Sequence, residues 1–183
     1  MSKTESGPTP AQLRDAAVTA HRAGKYDEAL KAYVPYLRAV PGDAGIWSNL
    51  GALFRSRAQH LQARRAQAHA YALAPEAPGV RNNYANVLSD IGDYELSIEL
   101  RQELLRQNPN EAMQEAMIGR CLRGMGRYED AIAHLEEARA RHPEDSEIPL
   151  QLAFAQLGAG HYGPAFRNYL SRWHSDELKA KTL

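Results

Sequence analysis

The sequence predicts an all-α solenoid of five helix–turn–helix repeats, and three observations predict it. Pro41, Pro75, Pro109 and Pro143 are evenly spaced along the chain. Gly-x-Tyr recurs in register with them at Gly24–Tyr26, Gly92–Tyr94, Gly126–Tyr128 and Gly160–Tyr162. A small residue recurs at Ala17, Gly51, Ala85, Gly119 and Ala153, the eighth place of each unit. A fixed period of a few tens of residues marks a chain built from one stacked unit. Each unit buries its apolar face only against its neighbours, and the stack presents a long concave surface.

The elements follow in order. Residues 1–9 read as a disordered lead. The units span 10–43, 44–77, 78–111, 112–145 and 146–177, and 178–183 is a truncated or linker segment. In the first unit Thr9, Pro10 and Gln12 supply an N-cap, a first-turn proline and a capping-box partner. Leu13, Ala16, Ala17 and Ala20 then share one helix face, and Ala29, Tyr33 and Tyr36 belong to the second helix. The second unit is the clearest. Trp47, Leu50, Gly51 and Phe54 follow i, i+3, i+4, i+7, Ala58–His60 turns the chain, and Pro75 stops the second helix. Asp43 and Asp145 stand where the second and fifth units need N-caps. In the third unit Arg81 replaces a large apolar residue and Arg101 an aromatic one; their stems are expected to cover apolar neighbours with the heads in water, the alternative being a looser stack there. The small eighth residue marks the closest approach of the paired helices.

This pattern resembles the tetratricopeptide repeat, Trp-x2-Leu-Gly-x2-Tyr followed by Ala, Phe, Ala and Pro at fixed offsets. The resemblance covers over nine-tenths of the chain. It implies ten helices in five antiparallel hairpins wound as a right-handed superhelix, with a short helical segment after Asp176.

The bulk composition excludes several classes. Lys+Arg and Asp+Glu are both 22, so the net charge is zero, which argues against nucleic-acid binding through bulk charge. The lone Cys121 excludes a disulfide framework. No apolar stretch approaches the ~20 residues of a membrane span, and the N-terminus lacks the apolar segment of a secretory signal. The expected location is cytoplasmic. Enzyme signals fail as well. Gly158-Ala-Gly160-His-Tyr-Gly163 fits Gly-x-Gly-x-x-Gly but falls at an inter-helix turn, without the strand a dinucleotide site needs. The seven histidines form no i, i+4 metal pair. Cys121 reads as a small core residue. No catalytic residues, metal or cofactor are expected.

A ligand is expected on the first helices. Their inward sixth positions are Asp15, Asn49, Asn83, Met117 and Gln151. An asparagine there offers a peptide backbone both a donor and an acceptor, and in the family such a ladder grips an extended peptide. Asn49 and Asn83 match it, and Asn86 extends the amide patch. Arg55 and Arg120 add charge, and Met117 and Phe154 add apolar anchors, a mixture suited to a protein or peptide partner. The carboxylate clamp of chaperone-binding members is absent. Frames begun at the first, second or third unit lack its residues, the first placing Arg14, Val18, Asn49, Gly79 and Asn83 there.

The fifth unit ends with Tyr169, Arg172 and Trp173. It resembles the closing repeat of bacterial tetratricopeptide proteins that continue into a glycosyltransferase-like domain, including enzymes that glycosylate flagellin. Leu170 and Phe166 depart from that pattern. The resemblance implies a chain that continues past Leu183, with the repeats recruiting a protein acceptor. The alternative is a stand-alone scaffold or oligomerisation module, with Tyr169, Arg172 and Trp173 as a self-association surface.

Overall fold

A computed structural model describes residues 7–170 of the chain. Among them nine helices are complete: α1 (Pro10–Arg22), α2 (Tyr26–Ala39), α3 (Ala44–Ser56), α4 (His60–Leu73), α5 (Pro78–Ile91), α6 (Tyr94–Gln107), α7 (Ala112–Gly124), α8 (Tyr128–Arg141) and α9 (Glu147–Gly158). A further helical stretch, α10, covers 162–170, and none of the described residues lies in a strand. The expected segment after Asp176 lies outside the described residues. The chain divides into two compact units, Met1–Val87 and Leu88–Leu183, with the division inside α5.

Helix boundaries follow the repeat. Tyr26, His60, Tyr94 and Tyr128 each open a second helix, one period after another. Pro41, Pro75, Pro109 and Pro143 each follow shortly after such a helix ends, where a residue without an N–H cannot extend it. Thr9 caps α1 with a complete capping box, and Pro10 occupies the first turn. Asp43 accepts from the Ile46 N–H at 3.0 Å. Asp145 accepts from the N–H groups of Glu147 and Ile148 at 2.9 and 2.8 Å, so it caps α9 from just ahead of the helix.

The inter-helix turns need one left-handed residue. Gly24, Gly92, Gly126 and Gly160 have φ of 72°, 85°, 75° and 82°. The fifth such position is Ala58, at φ 56°, where a Cβ meets the carbonyl and costs about 1–2 kcal/mol.

Packing explains the small eighth residue. A Cβ built on Gly51 would lie 2.6 Å from Gln67 Nε2, and one on Gly119 would lie 2.5 Å from Leu135 Cδ2. Gln67 and Leu135 hold the same place in the second and fourth repeats, so one position of the second helix presses on the eighth place of the first. In the first unit Ala17, Ala20, Tyr33, Tyr36, Leu37, Ile46, Leu50 and Leu53 form one core cluster. In the second, Ala116, Ile132, Leu135, Ile148, Leu152 and Ala155 belong to another.

Arg81 and Arg101 correct the expectation made for them. Their heads are not in water: the residues are 2% and 1% exposed. Arg81 Nη2 donates to Pro75 O at 2.7 Å and pairs with Glu76 Oε2 at 3.3 Å. Arg101 Nη1 donates to Gln114 Oε1 at 2.8 Å, and Gln114 in turn donates to Glu111 at 3.0 Å. Polar partners at the ends of the stems replace part of the lost hydration, while Arg81 Nε and Nη1 and Arg101 Nε stay buried without a hydrogen-bond partner.

Two substitutions test these points. Ala58→Gly relieves the left-handed strain and is expected to stabilise the chain by about 1 kcal/mol, despite the extra freedom of glycine when unfolded. A denaturant midpoint that falls instead would contradict the assignment. Gly119→Ala is expected to destabilise by about 1–3 kcal/mol through overpacking against Leu135. In a Leu135→Ala background the sign reverses, because only the preference of helices for alanine over glycine, about 1 kcal/mol, remains.

Candidate protein-binding surface

In the first unit the inward residues of α1, α3 and the start of α5 form a polar system anchored in the core. Tyr33, fully buried, lies 3.0 Å from His21 Nδ1 through its hydroxyl. Burial pushes the Tyr33 phenol up to about 12, and a hydrogen bond from Asn49 opposes this. The Tyr33 hydroxyl therefore has two side-chain partners, His21 and Asn49, one on each of the first helices α1 and α3. Burial also lowers the pKa of His21 below 6.5, which agrees with a neutral ring. Val18, His21, Arg22, Tyr26, Tyr33 and Asn49 line a pocket of about 320 Å³.

A second chain of hydrogen bonds lies alongside. Asn83 Nδ2 donates to Ser48 Oγ at 3.0 Å. Ser48 Oγ donates to Gln67 Oε1 at 3.1 Å, and Gln67 Nε2 donates to Ser48 O at 2.8 Å. Gln67 is fully buried, and the space its amide occupies is the space Gly51 leaves. Asn49 and Asn83 are therefore half-buried side chains with partners inside the protein. Asn86 is half-buried and Arg55 exposed on the same unit.

The second unit carries the remaining candidates. Met117 is half-buried on α7. Arg120 Nη2 stands 3.5 Å from Asp90 Oδ1. Arg123 lies over the Phe154 ring, 5.5 Å from its centroid, a cation–π distance. Phe154 and Tyr169 have ring centroids 6.4 Å apart. Gln151, expected to face a ligand, is 7% exposed. Its Nε2 donates to Glu147 Oε1 at 2.7 Å, while its Oε1 is a buried acceptor with no hydrogen-bond partner. Arg172 and Trp173 lie outside the described residues. Cys121 is fully buried, its sulfur 3.5 Å from Ser89 Oγ and 3.6 Å from Ser97 Oγ.

Sequence reasoning missed Ser48, Gln67, Tyr33 and His21 as a set. The available signal was Gln67 itself, a polar residue at a core register position facing a glycine.

Burial of His21 has a measurable consequence. Its pKa is lower folded than unfolded, so the unfolded chain takes up the proton first as pH falls through about 6.5. Its contribution is complete above that value and is lost below it. His21→Asn keeps an acceptor for Tyr33 and removes the titration. Urea midpoints of parent and variant are expected to lose less ground in the variant between about pH 7.5 and 5.5. Equal losses would show that His21 does not set this dependence.

No curated protein matches this sequence. The tetratricopeptide repeat family model matches residues 122–165. Among solved structures, MamA from MSR-1 superposes with a TM-score of 0.75 at 19% identity, over 93% of this chain and 98% of that one. A fragment described as MamA 41-end from Desulfovibrio magneticus RS-1 gives 0.81 at 17% identity, over 94% and 97%. Another MamA crystal structure gives 0.77 at 20% identity, over 96% of each chain. At these identities the likeness is one of fold: the chain is an all-helical repeat protein with the tetratricopeptide-repeat fold, and 122–165 is the stretch that matches the family model.

Proposed function

We propose that the chain is a protein-interaction module that binds an extended peptide or a protein segment along its first helices. The observation that carries this reading is the pocket formed by Val18, His21, Arg22, Tyr26, Tyr33 and Asn49. It combines a cation, an imidazole, an amide and apolar walls, groups that suit a peptide backbone with an acidic or polar side chain. Asn49 and Asn83 are held in place by Tyr33 and Ser48, so little freedom is lost when a ligand binds. In the second unit Met117, Arg120 and Phe154 offer apolar and charged contacts. Recruitment of an acceptor such as flagellin to a fused or associated glycosyltransferase is the finer form of this reading. It rests on the sequence resemblance at Tyr169, Arg172 and Trp173, and the comparisons add nothing to it. A stand-alone scaffold is the second reading, favoured by the fold alone.

Selection of peptides from a displayed random library on the intact chain tests the proposal. Selected peptides are expected to lose affinity on the order of tenfold to thirtyfold on Asn49→Ala with Asn83→Ala, at about 1 kcal/mol per hydrogen bond. The same double variant is expected to lose a similar amount of stability per internal bond, so binding is measured where it stays folded. Trp173→Ala should leave affinity unchanged. If the asparagine variant binds as the parent does and Trp173→Ala abolishes binding, the working surface is the terminal helix.

A further inference from the structure

We infer that the chain associates with further copies of itself head to tail, the exposed face of α10 in one copy docking on α1 of the next. The second unit shows what a covered repeat face looks like. Tyr128 lies so close on Gly158 that no Cβ fits there, and Tyr94 occupies Gly124 in the same way, 2.5 Å from a Cβ built on it. Ile132 is 8% exposed and shares a core cluster with Leu152 of α9. One repeat later the residues equivalent to Tyr128 and Ile132 are Tyr162 and Phe166. They are 63% and 62% exposed, and Leu170 is 51% exposed.

The matching face on α1 is open. Leu152 belongs to a register series that runs back through Ile118, Tyr84 and Leu50 to Ala16. The first four are buried, and Ala16 alone of the series is exposed. It lies in a hollow of about 380 Å³ on α1 with Thr19, Ala20 and Ala23. Continuing the repeat across copies sets Phe166 against Ala16, as Ile132 is set near Leu152. The larger phenylalanine then faces the smaller alanine, so the volumes compensate. Tyr162 falls at Arg22, the register equivalent of Gly158, where a guanidinium can cover the ring.

Charge selects a second copy as the occupant. Residues 1–87 hold 11 lysines and arginines against 6 aspartates and glutamates, a formal +5. Residues 88–183 hold 11 against 16, a formal −5. Joining α10 to α1 of another copy brings opposite units together, whereas joining α10 to α10 opposes like charge. Asp15 and Glu28 line the hollow beside Lys25, so the attraction belongs to the whole unit rather than to the rim. The exposed tail residues offer roughly 300–400 Å² of apolar surface. Burial of that size falls below the ~1,200–2,000 Å² of stable complexes, so the contact is weak. A heterologous contact leaves one free face on every copy and does not stop at two.

Sedimentation velocity on the full chain, over a range of concentrations and salt, tests this. At low salt the average mass is expected to climb past two copies with concentration and to fall as salt rises. Phe166→Asp and Ala16→Arg, both at exposed helical positions, are each expected to abolish association. An equal mixture of the two variants should form dimers and nothing larger, because each keeps one working face. Circular dichroism checks that both remain helical, and Tyr162→Asp and Thr19→Arg replace either that does not. Three results would overturn the inference. One is a chain monomeric at every concentration at low salt. Another is a dimer that stops at two and survives Ala16→Arg, the mark of tail-to-tail pairing. The third is a chain that associates only once residues 171–183 are removed, which would make its own terminus the occupant. None of these outcomes involves Asn49 or Asn83, so the peptide-binding reading stands or falls separately.

Discussion

Everything in this chain depends on how closely two helices can approach at one point in each repeat. At the eighth position of the first helix there is room for a hydrogen or a methyl and nothing more. At Gly51 the space is taken by Gln67, and at Gly119 by Leu135. That contact holds the hairpin shut, and the hairpin brings the faces of the first helices into register. Once the approach is fixed, the choice of side chain on the second helix becomes free within wide limits. Tyrosine, glutamine, arginine and leucine occupy equivalent places at 33, 67, 101 and 135, all of them buried.

That freedom explains which parts of the structure can be read from the sequence. Helix starts and stops could be read because they depend on backbone chemistry: prolines that lack an N–H, glycines that accept positive φ, and Thr9, Asp43 and Asp145 as acceptors for unpaired N–H groups. Residue type is enough to declare these. The interior polar pairs could not be read. Arg81 and Arg101 look like surface residues with apolar stems. Only the structure shows that Pro75 O, Glu76 and Gln114 reach their heads. Burial of a guanidinium is decided by which partners the fold brings to it, and periodicity carries no information about those.

The same division runs through the candidate surface. Asn49 and Asn83 stood out because they repeat at one register position. Their neighbours Tyr33, His21, Ser48 and Gln67 did not, since each belongs by pattern to the core or to an ordinary helix face. Yet these neighbours fix which way the amides point. Asn49 bonds to a phenol that also meets His21, and Asn83 donates to a hydroxyl held by a buried glutamine. The asparagines are thus parts of the fold as well as of a surface, which joins recognition to stability at these two positions. Gln151 shows the opposite case: the register places it with them, but burial withdraws it.

The uniform spacing of the helix starts also bears on how such a chain can change length. A cut at any point, followed by duplication or loss of one whole period, returns every left-handed turn residue, every stopping proline and every small eighth residue to a matching place. An insertion of any other length breaks that phase for all that follows unless it falls in a turn and leaves the flanking helices where they were. Growth by recombination within the gene is therefore nearly neutral for the fold in steps of one whole period and costly in between. A lineage of such proteins would be expected to differ by whole hairpins, with small insertions gathered at the turns.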